Sequence, residues 1–510
     1  MLASSRVKFI GPKSRPDLLL SLGKMSSGTE HPAERSASVG SLEISLSHGL
    51  ALCLAILWIG CMPPAERPNI LLIVVDTLRW DRVGVYGADR ATSPAIDALA
   101  AKSIRFERAY ATAPWTRPSI ASMLTGLLPS AHGGWAADRA LPDEAVTLPE
   151  ILGDAGYSTA GVVSNFVIAR RNGFAQGFAS YDETGAWGYD AISTDHVTNG
   201  AIAALEAILA EPDGEDRPFF LFVHYFDPHY NYRPHDEVGF AADRAGRLDG
   251  SQSMSGLQQM EGEMTSHELA YLRDVYDEEI RHTDTGIGRL LDRLADTGRD
   301  EQTVVVFTSD HGEEFLDHGH LGHTSTLYEE VIRVPLLLRI PGTAARVVRE
   351  PVSLVSITPT LLELAGVDPP RGHSFQGDSL LPLLGSSRDP SEDAPPAFED
   401  FSFAEVDFAS RLRKHKNASR KAIIGARYKL ILDESTGRYE LYDLKRDPLE
   451  RDDLAARSPA LLGALRPILK AHIQVAREKA LSPETMELDA AEIELLRGLG
   501  YVEDRSGARR

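Results

Sequence analysis

The chain has 510 residues, a formal net charge of −21 and two cysteines, Cys53 and Cys61. That length exceeds one average domain and predicts a large domain with a smaller companion. The acidic surplus speaks against nucleic acid as a partner, which calls for a basic face, and with both cysteines ahead of residue 62 the body holds no disulfide, thiolate nucleophile or cysteine metal site.

Residues 1–48 are Ser-rich and poor in aromatics, and read as a disordered leader. Residues 49–61 are mostly apolar. The run fits a signal h-region better than a membrane span, which takes about 20 apolar residues. Its Gly60-Cys61 ending resembles a bacterial lipoprotein signal, with Cys61 as the lipidated first residue; a signal anchor is the other reading. Both predict an exported protein, periplasmic or at the cell surface, tethered to a membrane only through its N-terminal lipid or anchor.

After a Pro-rich link at 63–68, the run ILLIVV closes on Asp76. Unbroken apolar runs of this kind are strands buried on both faces, as in parallel sheets covered by helices. Similar runs occupy 218–226, 303–310 and 335–340, and helical patterns fill 94–102, 148–155, 195–209 and 267–295. The alternation predicts an α/β core over 67–386. Ligands of such sheets gather outside the carboxyl ends of the strands. Asp76 ends one strand, Asp310 and His311 end another, and His224, Asp227 and His229 lie at or past the end of a third. Each alone reads as a cap or turn acid; together they mark a site.

Between these strands lies APWTRPSIASMLTG, residues 113–126. It predicts a loop delivering Thr116 to a short helix, with Pro118 at a first helical position. Ile120, Met123 and Leu124 would form its apolar face, and Gly126 its stop. A hydroxyl at a helix N-terminus sits where the dipole and free N–H groups favour an alkoxide and a bound oxyanion. Asp76, Thr116, Asp310 and His311 would hold a divalent cation. Mixed oxygen and nitrogen ligands suit Mn, Zn or Fe, with Ca or Mg also open. Asp227 completes a second metal site or caps a helix or turn. Arg79 contacts the anion or forms a surface salt bridge. The segment 310–324 adds His318, His320 and His323, of which His323 is the candidate for touching substrate or a second metal. A polar linker follows at 386–396, and then a small α+β domain over 397–510. In it, 421–433 and 438–444 alternate as antiparallel strands, ahead of helices at 459–479 and 489–499.

The pieces PNILLIVVDTLRWDRVGVYG, the 116–126 segment, HYFDPHYNYRP, TSDHGEEF and GHTSTLYEEVIRVPLLLRIPG resemble the sulfatase family, within the alkaline phosphatase superfamily. ARYKLI and ELYDLKRDPLE resemble that family's C-terminal domain. The resemblance implies a mixed, mostly parallel sheet sandwiched by helices with a smaller C-terminal α+β domain. It also implies a divalent metal and hydrolysis of a sulfuric or phosphoric ester carried by an anionic small molecule, glycan or lipid. The departures are specific. Sulfatases usually carry a Cys or Ser converted to formylglycine, with Pro two residues on and Arg four residues on; here these positions are Thr116, Pro118 and Ile120, and Thr is not a substrate for that conversion. The family's second N-terminal Asp is Thr77. Its Lys-x-His pair corresponds to Ser164 and Phe166, with Asn165 between them as an oxyanion contact. The set Asp76, Thr116, Asp310, His311 is similar instead to nucleotide pyrophosphatases, and to phosphoethanolamine and lipoteichoic-acid transferases, which use Glu at the first position. In those branches an unmodified Thr attacks phosphorus, and the transferases place a His where His323 stands.

Chemistry separates the branches. A formylglycine hydrate sheds sulfate by breaking its own C–O bond, whereas a sulfated Thr would need attack at sulfur. A phosphorylated Thr is readily hydrolysed at phosphorus. The expected mechanism is in-line attack by Thr116, with His229, His224 or His323 protonating the leaving group. Three readings stand: a phosphate or phosphonate ester hydrolase or transferase, a sulfate-ester hydrolase working without formylglycine, and a non-catalytic protein that keeps the metal and binds an anion.

Overall fold

The computed structural model describes residues 67–134, 136–187, 193–214, 216–241, 244–385, 401–408, 418–498 and 501. The predicted leader, apolar segment with Cys61, and 386–396 linker lie outside the described residues.

A strand made only of Ile, Leu and Val is stable where both of its faces are covered. Asn69–Val75 occupies such a place in an eight-stranded sheet, between Thr303–Ser309 and Phe219–Tyr225, parallel to both. The sheet continues through Ser158–Val163 to Ser180–Asp182 on one side. On the other it runs through Arg333–Arg339 and Ile104–Tyr110 to Arg346–Ser353. Arg333–Arg339 alone runs against its neighbours, so the sheet is mixed and mostly parallel. Successive residues alternate between two cores. Ile70, Leu72 and Val74 face the layer holding Ile120 and Met123; Leu71, Ile73 and Val75 face the layer holding Leu205, Val275 and Ile287.

The covering helices follow the predicted patterns at Pro94–Ala100, Leu148–Asp154, Thr194–Leu209 and Ser266–Asp296. Two begin with reciprocal caps, Thr147 with Glu150 and Thr265 with Glu268. Among the described residues no helix is long and apolar enough to cross a membrane.

The C-terminal region carries a four-stranded antiparallel sheet, Ser402–Phe408, Ala418–Ile424, Tyr428–Asp433 and Arg438–Asp443, backed by the helix Pro459–Glu478. Its core holds Ile423, Leu430, Leu441, Leu465 and Leu469. The stretch 421–433, expected as one alternating run, is itself a hairpin. Gly425 N donates to Tyr428 O at 2.9 Å, and a Cβ on Gly425 would lie 2.9 Å from the Phe401 ring. After residue 479 the chain leaves this sheet and returns to the larger domain. Leu481 N donates to Ala131 O, Glu484–Thr485 pairs with Arg139–Ala140, and the helix Ala490–Gly498 brings Leu496 and Tyr501 into the core beside Trp115.

Candidate active site

Parallel register decides which residues meet. Val75 lies opposite Tyr225 and Ser309, so the chain leaves all three strands at one edge, and Asp76 and Asp310 emerge side by side. Asp76 N still donates to Tyr225 O at 2.8 Å, which prolongs the ladder by one residue. Thr116 approaches from the helix Thr116–Thr125. Trp115 is the cap, Thr116 the first helical residue and Pro118 the third, not the first. Pro is tolerated there because the first turn's N–H groups have no helical partner. The helix is buried all round rather than on one apolar face. Two of its hydroxyls are satisfied inside: Ser119 Oγ donates to Asp310 O at 2.6 Å, which ties the helix to the strand end, and Thr125 Oγ1 donates to Ala121 O.

Thr116 Oγ1 lies 3.3 and 3.4 Å from the Asp76 oxygens and 3.4 Å from His311 Nε2. His311 Nε2 is 3.5 Å from Asp76 Oδ1 and 3.6 Å from Asp310 Oδ2. His224 Nε2 is 3.8 and 3.9 Å from the same two carboxylates. All five residues are 0% exposed. These separations are long for hydrogen bonds. They are close to the ~3.4 Å expected between two ligands each ~2.1 Å from one tetrahedral cation. Asp310 Oδ2 and both His224 ring nitrogens have no hydrogen-bond partner. His311 Nδ1 donates to Gly312 O at 2.9 Å, which leaves its Nε2 lone pair facing the acids. Burial and the neighbouring Asp310 push the Asp76 carboxyl well up. Burial would raise Asp310 too, but His311 and His224 outweigh it and hold it down. Two adjacent buried acids and a bare imidazole nitrogen form a donor set that fits a divalent cation.

Around this cluster, Asn165 Nδ2 donates to Asp76 Oδ2 at 2.7 Å and reaches Thr116 Oγ1 at 3.4 Å, while its Oδ1 accepts from Val167 N. His229 and His323 stack edge to face with centroids 5.0 Å apart, and His323 lies 4.5 Å from His311. His229 Nδ1 faces Tyr230 O at 3.0 Å and its Nε2 is buried without a partner. Burial, then the His323 charge, pull its pKa well down. His323 Nδ1 is 3.0 Å from Glu313 Oε1, and Glu313 also accepts from Tyr232 Oη at 2.9 Å. Burial lifts the Glu313 carboxyl to about 7.

Other predicted residues have different work. Asp227 does not join the cation cluster: its Oδ2 accepts from Ser193 N, Thr194 N and Thr194 Oγ1 and caps the helix Thr194–Leu209, where a carboxylate is favoured. Arg79 forms a salt bridge, but a buried one, to Asp81 and Asp317 at 2.8 Å, and it donates to Glu313 O. It pins the 313–317 turn and leaves no fork for an anion. His318 is held between Glu330 and Glu450 O, and His320 is exposed. Ser164 Oγ links His224 O to Phe226 N. A second cluster, His235, Glu237 and His282, lies on the loop after the Phe219–Tyr225 strand and on the helix Ser266–Asp296. Its imidazoles stack 4.3 Å apart at 21°, and both turn Nδ1 towards Glu237 Oε1, at 3.3 and 3.2 Å.

Sequence reasoning missed three residues. Arg117 is fully buried, and its guanidinium donates to the carbonyls of Val167, Ala136, Ala137 and Arg139. Burial lowers its pKa to about 9. Glu313 sits inside the TSDHGEEF segment, where the DH pair drew the attention. Tyr501, 385 residues beyond Thr116, places its Oη 3.4 Å from Thr116 Oγ1. No local spacing pattern signals such a contact.

A family model described as Sulfatase matches residues 68–367, and one described as N-sulphoglucosamine sulphohydrolase, C-terminal, matches 317–474. The chain is 28% identical to human Arylsulfatase A over 511 aligned positions, covering 86% of this chain and 92% of that protein. It shares its fold with BT4656, solved in complex with its substrate D-glucosamine-2-N,6-O-disulfate (TM-score 0.65, 22% identity, 81% of this chain and 99% of that one). It also shares it with the phosphonate monoester hydrolase of Agrobacterium radiobacter (TM-score 0.63, 23% identity, 83% of this chain and 100% of that one). With more than half of its length matched by the family model, and with the acids, imidazoles and hydroxyl gathered at one sheet edge as a donor set able to hold a divalent metal, this chain belongs to the sulfatase family and is an ester hydrolase of the alkaline phosphatase superfamily.

Proposed function

We propose that Thr116 is itself the nucleophile, unmodified, and that the chemistry leans towards phosphate or phosphonate esters. One observation carries this reading. A threonine oxygen at a helix N-terminus lies 3.3 to 3.4 Å from Asp76 and His311, in a donor set that fits a divalent cation. Asp76, Asp310 and His311 would hold the ion, with His224 bordering them. Bound there, it supplies the positive charge that acidifies the Thr116 hydroxyl and polarises the ester. Asn165 and the first-turn N–H groups stabilise charge on the attacked group.

The Thr116 hydroxyl gives its proton to solvent before attack, and Oγ1 then forms a bond to phosphorus as the bond to the leaving alcohol breaks. His323 gives that alcohol its proton, with the Glu313 carboxylate steadying the imidazolium. In the second step water forms the new bond to phosphorus and the Thr116 oxygen leaves. His229, whose Nδ1–H is committed to Tyr230 O, offers its Nε2 lone pair to the water proton. His224 stays with the two carboxylates and moves no proton.

The substrate is an anionic ester of a small molecule, glycan or lipid, met outside the cytoplasm by a protein tethered through Cys61 or its apolar segment. A second reading, sulfate-ester hydrolysis without formylglycine, is favoured by the sulfatase matches themselves. Full-length protein with Mn or Zn, assayed on p-nitrophenyl phosphate, phenylphosphonate, bis-p-nitrophenyl phosphate and p-nitrophenyl sulfate, separates them. The expected result is turnover of a phosphorus ester, a covalent phosphoryl group on Thr116 by mass spectrometry, and no activity in Thr116→Ala with metal still bound. Turnover of the sulfate alone favours the second reading, and inactivity on every ester leaves only anion binding.

A further inference from the structure

A nucleophilic oxygen carries negative charge twice in a double displacement, once as it attacks and once as it leaves. A site that works through Thr116 therefore gains from a donor fixed on that oxygen at both moments. The tail after the small sheet supplies one. Tyr501 is 0% exposed, its ring centroid 5.3 Å from Trp115, 5.9 Å from His323 and 6.5 Å from His229, and its Oη 3.4 Å from Thr116 Oγ1. Its placement is built. Tyr501 N donates to Leu496 O at 2.8 Å at the end of the helix Ala490–Gly498. Glu492 of that helix, itself buried, pairs with Arg171. Upstream, Met486 N donates to Asp138 O, and Glu484–Thr485 adds a strand to Arg139–Ala140. With Leu481 N on Ala131 O, four attachments of residues 481–492 to the rest of the chain hold one phenol over one hydroxyl.

We propose that Tyr501 is a catalytic residue, whose phenol O–H donates a hydrogen bond to the Thr116 oxygen whenever that oxygen bears charge. The inference rests on the reading of Thr116 as nucleophile. No proton changes hands. The phenol keeps its hydrogen throughout, as a phenol does at neutral pH, and the hydrogen bond strengthens as charge builds on Oγ1 and weakens when Oγ1 is esterified. Asn165 reaches the same oxygen at 3.4 Å, so Thr116 would face two neutral donors, one from the sheet edge and one from the tail. The ring has a further effect: it covers the hydroxyl and keeps bulk water from competing for it.

Tyr501→Phe keeps the ring and removes the hydroxyl, and it is measured beside Thr116→Ala on whichever ester the wild-type protein turns over. A hydrogen bond to a charged group predicts a kcat lowered about 10- to 100-fold, with KM within about threefold, metal stoichiometry unchanged and melting temperature unchanged. Rapid-quench kinetics should show both formation and breakdown of the esterified Thr116 slowed. Wild-type kcat in Tyr501→Phe, with Thr116→Ala inactive, overturns the role of Tyr501 and leaves the nucleophile standing. A Tyr501→Phe protein faster than wild type also overturns it and makes the tail a plug. Full activity in Thr116→Ala overturns both.

Discussion

Asn165 Nδ2 sits 2.7 Å from Asp76 Oδ2 and, on the same amide, 3.4 Å from Thr116 Oγ1. The short contact fixes which Asp76 oxygen faces the amide, and so which way the carboxylate turns towards His311 and Asp310. Partners of this kind set ligand orientation and are felt in both metal affinity and rate.

Replacing Asn165 by Ala should therefore weaken metal binding about tenfold and lower kcat by 10- to 100-fold. Asn165→Asp should hold the cation more tightly than Asn165→Ala, because it adds a third acid beside Asp76 and Asp310, yet lower kcat as far, because the donor to the Thr116 oxygen is lost. Metal titration followed by calorimetry, with steady-state kinetics at saturating metal, separates the two effects. Wild-type metal affinity and kcat in Asn165→Ala would contradict this geometry.

Removing the metal should cost stability as well as activity. Asp76 and Asp310 are both 0% exposed, and their mutual repulsion is relieved by a cation. Saturating metal at about 100 times its Kd should stabilise the fold by about 2.7 kcal/mol. A rise in melting temperature on adding Mn or Zn to chelator-treated protein checks this. The rise should shrink sharply in Asp310→Asn.

Lys429 is buried between two acids, Glu450 at 2.9 Å and Glu329 at 3.2 Å, and so joins the small sheet to the segment after the catalytic loop. Burial lifts Glu450 to about 7 even with the lysine beside it. Lys429→Met leaves two buried carboxylates without a counter-charge and should cost about 3–5 kcal/mol. Chemical denaturation measures it. Lys429→Met combined with Glu450→Gln should recover part of the loss, which a mere packing defect would not.

Glu405 gives the fold an acid limit. Burial alone would raise its pKa, but the Lys421 ammonium at 2.9 Å and His472 at 3.3 Å more than offset that and hold it well below the usual carboxylate range. Its folded pKa is thus below its unfolded one of about 4.3. The stabilisation is complete above that value and is lost as pH falls below it towards the folded pKa. Melting temperature should drop through that window in wild type. Glu405→Gln should start lower at pH 7 and follow pH less steeply.

How much of this was legible in the chain depended on how far apart the partners lie. The strand ILLIVVD announced its own burial, and a parallel register then forced Asp76 and Asp310 to one edge, so the acids of the cluster could be named from local pattern alone. Pro118 was misplaced by two positions because Trp115 caps the helix and Thr116 already counts within it. Asp227, by its place past a strand end, is equally a ligand or a cap in the sequence; it is a cap, and the helix it serves starts more than thirty residues earlier in the chain. Arg79 read as a surface residue because its three partners come from two segments that only folding joins. Tyr501 had no signal of any kind, since its relation to Thr116 exists only after the tail has crossed back over the larger domain.

That crossing sets an order of events during biosynthesis. Every group around the cation is translated before residue 324, whereas the phenol belongs to a segment that leaves the ribosome long afterwards. If Tyr501 acts as proposed, a nascent chain would carry every group of the cation cluster before the helix Ala490–Gly498 is made, and would reach full activity only once that helix docks.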